Sequence, residues 1–239
     1  MDLNLPAPRG ILFDKDGTLF GFDATWSAFG AAVVDDLGGS APETRAAVAG
    51  ALGFDLGAGC FHPDSPVVAG TADEVAHRLA PHCPGRTPAE VAVWLDARAA
   101  DIAPVPAAPL GPLLDRLAAL GAVLGVVTND ATEAARVQLR AAGVVGRFAF
   151  IAGYDAGHGA KPAPGPLRAF AEASDLRPSE VAMVGDSLHD LHAARAAGMR
   201  AVAVLTGPVG ADVLAPHADL VVPDVSHLPE ALFGMARDH

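Results

Sequence analysis

Cysteine is scarce in this 239-residue chain, basic side chains are few, and no apolar run is long. Two cysteines, Cys60 and Cys83, cannot build a disulfide framework. Sixteen Lys+Arg against 28 Asp+Glu leave a formal net charge of −12 and a pI near 5.0. Proteins that grip DNA or RNA phosphates rely on clustered Lys and Arg, so nucleic acid is not an expected partner. A small phosphorylated substrate stays open, because a bound metal ion reverses the local field. Uncharged stretches such as 117–129 stop short of the ~20 residues a membrane helix needs. Residues 1–10 lack a basic segment leading into an apolar one, so no secretory signal is expected and the location reads as cytoplasmic. Neither a GxxxxGK[ST] loop nor a GxGxxG after a strand is present, and no internal repeat is visible.

What is there is globular. With 51% hydrophobic and 18% charged residues the chain is not disordered. At roughly 100–200 residues per domain, the length allows one large domain or two modest ones. Short apolar runs at 10–13, 122–127, 148–151, 181–184, 201–205 and 220–222 end in polar or glycine residues. Runs apolar on both alternations suit strands buried on both faces of a parallel sheet. Amphipathic helices lie between them: Leu110, Leu113, Leu114, Leu117 and Leu120 share a face before Gly121, while Gly143 and Gly198 close 133–142 and 188–197. This alternation predicts an α/β fold with a Rossmann-like, doubly wound parallel sheet.

Residues 24–103 break the alternation. Trp26, Phe29, Val33 and Leu37, spaced by three and four, predict a helix. Ser40…Glu43, Thr71…Glu74 and Thr87…Glu90 each fit a capping box, with Pro42 and Pro88 near helix starts. The expected organisation is a core of residues 1–22 and 104–239 interrupted by an all-helical cap domain, 23–103. The Pro-rich stretch 103–112 serves as return linker.

Open parallel sheets place ligands at the C-terminal ends of their strands. The first strand ends in Asp14-Lys15-Asp16-Gly17-Thr18-Leu19. Two carboxylates at i and i+2 repel unless a cation lies between them, and a hard oxygen-seeking ion such as Mg²⁺ suits them. Thr128 and Asn129 offer a hydroxyl and an amide for phosphate oxygens, and Lys161 a point charge. Asp186 and Asp190, at i and i+4, bring two further carboxylates to a helix start near Ser187.

These four clusters, in this order, resemble the motifs of the haloacid dehalogenase (HAD) superfamily, in a phosphatase branch similar to phosphoglycolate phosphatases. The resemblance covers about residues 9–22 and 105–235, and the insertion sits where that family carries a helical C1 cap. It implies Asp14 as nucleophile forming an aspartyl-phosphate and Asp16 as general acid, then base. It also implies that Thr128 and Lys161 hold the phosphoryl group. Asp14, Asp186 and the Asp16 carbonyl would ligate Mg²⁺, with Asp190 supporting the metal directly or through water. The implied activity is Mg²⁺-dependent hydrolysis of a small phosphorylated metabolite, phosphoglycolate-like or a sugar phosphate. A phosphomutase of the β-phosphoglucomutase type uses the same intermediate, and a non-catalytic phosphate-binding relative is a further alternative. A dehalogenase is disfavoured because Asp16 supplies a proton donor that chemistry lacks. A receiver-like signalling domain would be about half as long. Lys15 is expected to point away from the carboxylate pair, and Asp130 to cap the helix after it with Glu133. Cys60, His62, His77, His82 and Cys83 fit no standard zinc spacing, and His189 and His192 read as partly exposed helical residues.

Overall fold

β1 (Gly10–Phe13) is buried along its whole length, and its alternation sorts side chains into two layers. In the computed structural model, which describes residues 6–99 and 102–234, Ile11 and Phe13 enter one apolar cluster and Leu12 another. A side-chain period of two puts them on opposite faces of the sheet. β1 pairs in parallel with β4 (Val123–Val127) on one side and β6 (Val181–Gly185) on the other. β5 (Phe150–Ala152) lies beyond β4, and β7 (Arg200–Val204) and β8 (Leu220–Val222) lie beyond β6. The result is one parallel six-stranded sheet, β5-β4-β1-β6-β7-β8.

Helices α6 (Leu110–Ala119), α7 (Thr132–Ala141) and α11 (Leu228–Phe233) contribute to the cluster holding Ile11 and Phe13. Helices α8 (Gly165–Ala173), α9 (Leu188–Ala197) and α10 (Ala211–Leu214) contribute to that of Leu12. The expected doubly wound α/β core is therefore present. From β1 the chain builds outward first through β4 and then through β6, so strand order reverses around the C-terminal end of β1. That switch point is where such sheets form their crevice.

Between β1 and α6 lie α1 (Phe22–Gly38), α2 (Pro42–Leu52), α3 (Pro66–Ala69), α4 (Ala72–Leu79) and α5 (Pro88–Ala99). They share a separate apolar core that includes Val33, Leu52, Leu79, Val91 and Leu95. This segment is helical except for an antiparallel ribbon, β2 (Phe54–Asp55) and β3 (Cys60–Phe61). The Asp55 carboxylate accepts from the N–H groups of Gly57 (2.7 Å) and Ala58 (2.9 Å), a local turn that competes with helix. Gly30 lets the ribbon close on α1: a Cβ there would lie 2.6 Å from the Phe61 ring and 2.7 Å from Phe54.

Thr71 and Glu74 form the expected capping box, and Thr87 and Glu90 exchange the same two bonds. Ser40 does not cap: Pro42 is the first helical residue, which leaves extended Ala41 as the N-cap with no side-chain bond. A proline restricts its predecessor to extended backbone, which fixes the start one residue late. The outgoing and returning chains run side by side: Gly21 N–H donates to the Val105 carbonyl (2.9 Å) and Ala107 N–H to that of Leu19 (2.9 Å). Among the described residues, no helix is long and apolar enough to cross a membrane.

Phe170 of α8 packs into the space left by two strand glycines; a Cβ on Gly125 would lie 2.7 Å from its ring, and one on Gly10 3.1 Å. Phe170 is fully buried, so Phe170→Ala should lower the unfolding free energy in urea by roughly 3–5 kcal/mol. An unchanged unfolding midpoint would contradict this packing.

Candidate active site

The backbone turns sharply where β1 ends. Asp14 N–H still donates to the Val184 carbonyl of β6 (2.8 Å), and Leu19 and Phe20 N–H then fold back onto the Lys15 carbonyl. Gly17 makes the turn possible: its φ is +77°, and a Cβ there would lie 2.2 Å from a carboxylate oxygen of Asp186. Asp14 and Asp186 thereby come together from two adjacent strand ends. Thr18 Oγ1 donates to Asp186 Oδ1 (3.2 Å).

Lys161 reaches the same point, buried, with Nζ 2.7 Å from Asp14 Oδ1 and 2.6 Å from Asp190 Oδ1. The other Asp190 oxygen, Oδ2, accepts from Ser187 N–H (3.1 Å) and Oγ (2.6 Å), closing a capping box at the start of α9. Both Asp190 oxygens are thus engaged, and its main effect is to hold Lys161 against Asp14. Asn129 lines the site's cavity beside Lys161 and also braces the loop that carries it. Its Nδ2 donates to the Lys161 carbonyl and its Oδ1 accepts from Lys161 N–H, each at 2.9 Å, which fixes the loop bearing Lys161. Thr128 Oγ1 accepts from Asp130 N–H (3.1 Å), an arrangement that orients its hydroxyl proton away from that amide.

Asp14, Asp186 and Asp190 each offer a carboxylate oxygen within 4.8 Å of the others, and they are the metal-competent group among the described residues. The donor set suits a hard divalent cation. Asp186 Oδ2 is buried without a hydrogen-bond partner. Three close carboxylates face the single ammonium of Lys161, so the group retains excess negative charge in a dry site. No ligand of the imagined cap zinc site joins the cluster.

Burial pushes the Asp14 carboxyl up from 3.8 to about 7; Lys161 opposes the rise, while Asp190 and Asp16 add to it. Asp186 is raised well above the ordinary value by burial, then by Asp14 and Asp190. Burial works against the charged Lys161, but Asp14 and Asp190 outweigh it and raise its pKa.

Asp16 belongs to a second network. Its Oδ1 accepts from the indole N–H of Trp26 on α1 (2.8 Å), and its Oδ2 lies 2.6 Å from Lys15 Nζ. Lys15 therefore does not point away from the carboxylates; it is fully buried between Asp16, Asp130 (3.2 Å) and Gln138 of α7. The turn at Gly17 ends the extended geometry that would have separated the two side chains. Asp130 does not cap α7 with Glu133. Its carboxylate pairs with Lys15, and Asp155 Oδ1 instead accepts from Thr132 N–H at the helix start (2.8 Å). The sequence marks Trp26 only by its helical spacing; the signal for its second role is a polar indole nitrogen on the first helix after the motif.

A cavity opens above these groups, lined by Asp14, Asp16, Thr128 and Lys161 from the core and by Trp26 and Phe29 from α1. His189, a partly exposed residue of α9 as expected, also lines it.

Residues 105–204 match the family model of haloacid dehalogenase-like hydrolases. A phosphoglycolate phosphatase of Rhodospirillum rubrum is 32% identical over 206 residues, which cover 84% of this chain and 80% of that protein. A phosphoglycolate phosphatase of Xylella fastidiosa is 40% identical over 95 residues, 40% of this chain. The chain spans only 42% of the length of that relative. The crystal structure of a predicted phosphoglycolate phosphatase from Haemophilus somnus shares the fold, with a TM-score of 0.70 at 20% identity over 93% of this chain and 97% of that one.

The raised carboxyls set a pH dependence. A carboxyl raised by folding contributes stability below its unfolded pKa and loses it as pH climbs through the folded value. Without a cation, Asp14 therefore favours folding below about pH 4 and ceases to do so through about pH 7. A divalent cation offsets the exposed repulsion only where the carboxylates are ionised. Mg²⁺ should raise the melting temperature more at pH 8 than at pH 5, by differential scanning fluorimetry. Equal shifts at both, or none at pH 8, would contradict the cluster's role.

Proposed function

The chain belongs to the haloacid dehalogenase-like hydrolases, and on that premise we propose that it is a Mg²⁺-dependent phosphatase of small phosphorylated metabolites. The observation that carries this reading is the position of Asp14: its carboxylate stands at a strand end, held by a buried Lys161 beside the unpartnered Asp186 oxygen. Asp14 and Asp186 would hold the ion with the Asp16 carbonyl, and Asp190 would support them through Lys161. The ion supplies charge neutralisation on the phosphoryl oxygens and relieves the repulsion between Asp14 and an anionic substrate.

Phosphate monoester hydrolysis needs a barrier reduction above ~20 kcal/mol, and a carboxylate nucleophile divides the task into two displacements. Asp14 attacks phosphorus, the ester oxygen leaves as the alcohol with a proton from Asp16, and an aspartyl-phosphate remains. Water then attacks phosphorus, gives its proton to Asp16, and releases phosphate with Asp14 restored. Lys161 and the Thr128 hydroxyl meet the equatorial oxygens as charge shifts onto them. Trp26 and Lys15 keep the Asp16 carboxyl in place, so the general acid is fixed jointly by cap and core. Helices α1, α3, α4 and α5 wall the cavity, which limits substrate size and shields the intermediate from bulk water. The boundaries 23–103 for the cap and a cytoplasmic location belong to the same reading.

Phosphate release from p-nitrophenyl phosphate should require Mg²⁺, disappear in Asp14→Asn, and fall by about 10²–10⁴ in kcat in Asp16→Asn. Full activity in EDTA, or an active Asp14→Asn, would sink the mechanism. Isomerised product in place of free phosphate would indicate a mutase.

A further inference from the structure

Away from the phosphoryl site, the cavity changes character. Its cap wall is apolar, formed by Trp26, Phe29, Val68, Val75 and Leu95. Asp96 of α5 lines the same cavity, together with Asp130 of the core. The carboxyl of Asp96 is raised by burial, then by the charges of Asp130, Asp73 and Asp155, and Asp73 lines the adjoining part of the cleft. Tyr154 feels the same four: burial raises its phenol, and Asp96, Asp73, Asp155 and Asp130 add to the rise.

Buried Lys15 balances Asp16 and Asp130, so the negative charge on this wall is that of Asp96. Among the described residues lining this cavity, the basic side chains are Lys161 and His189, both on the core. Lys161 is engaged by Asp14 and Asp190. The adjoining part of the cleft, which shares Val68 and His189 with the cavity, does carry His77 and Arg78. Asp64, Asp73, Glu74 and Asp212 line it as well, so negative charge prevails there too.

A phosphate monoester presents its phosphoryl group to Asp14 and its alcohol to this acidic, apolar-walled space. A carboxylate on that alcohol would meet a like charge in a partly desolvated cavity, where the two repel more strongly than in water. An ammonium of the same size would meet an opposite charge and two aromatic rings. We infer that the leaving alcohol carries no acid group, that a cationic alcohol is preferred to an anionic one of equal size, and that Asp96 is the residue setting this preference. The inference rests on the phosphatase reading above. It sets this chain apart from relatives named for phosphoglycolate, whose leaving alcohol bears a carboxylate.

O-phosphoethanolamine and 2-phosphoglycolate are near-isosteric esters of opposite leaving-group charge. With the full-length protein and Mg²⁺, kcat/KM for O-phosphoethanolamine should exceed that for 2-phosphoglycolate by about tenfold or more. Asp96 is exposed on its helix, so its substitution should leave folding intact. Asp96→Asn should reduce the ratio by about tenfold, and Asp96→Lys should reduce it further. A structural role alone would move both substrates together and leave the ratio unchanged. Phosphate release from p-nitrophenyl phosphate with no preference between the two esters, or with a preference for 2-phosphoglycolate, overturns the inference alone. A ratio unmoved by both variants does the same. No release from p-nitrophenyl phosphate overturns the phosphatase reading and the inference with it.

Discussion

Lys161 carries its ammonium into a buried site 2.7 Å from Asp14 and 2.6 Å from Asp190, and much of the surrounding structure exists to hold it there. A buried charge is costly unless it is paired and its remaining bonds are satisfied. Asn129 grips the Lys161 backbone at both its amide and its carbonyl, and Ser187 fixes the far oxygen of Asp190. The pairing of β1 with β6 brings Asp14 and Asp186 to neighbouring strand ends. One ammonium among three carboxylates leaves the site short of positive charge. The missing charge is what a divalent cation and a phosphoryl-transfer reaction require.

The second network links the C-terminal end of β1 to the inserted helices. Lys15 is buried among Asp16, Asp130 and Gln138, while Trp26 reaches Asp16 from α1. One carboxylate is therefore held by residues on both sides of the linker between β1 and the inserted helices. On the proposed reading the two networks divide the work: Lys161 would orient Asp14 as nucleophile, and Lys15 with Trp26 would orient Asp16 as proton donor. Helices of the insertion supply the opposite wall of the cavity.

Much of this was legible in the sequence. Gly10–Phe13 and Leu220–Val222 match their apolar runs, and Leu188–Ala197 ends at its glycine as expected. Thr71 and Thr87 cap because their signals are local, and the carboxylates at 14, 186 and 190 meet because strand ends converge at the switch point. What was not legible depends on contacts distant in sequence. The destination of Lys15 is set by Gln138, 123 residues away, and that of Asn129 by a loop 32 residues on. Ser40 was misread because Pro42 outranks a hydroxyl in fixing a helix start. The ribbon at Phe54–Asp55 and Cys60–Phe61 is too short for periodicity to reveal. Asp96 of α5 and Asp130 after β4 come to line one cavity although no motif links them.

The covalent role of Asp14 is open to direct observation. Mixing the protein with Mg²⁺ and acetyl phosphate, quenching in acid within milliseconds, and digesting for mass spectrometry would reveal any phosphorylated peptide. The expected result is a phosphoryl adduct on the peptide containing Asp14, lost on alkaline treatment as an acyl phosphate is. Rapid phosphate release with that peptide unmodified at every quench time, or with the adduct on another residue, would contradict Asp14 as the nucleophile.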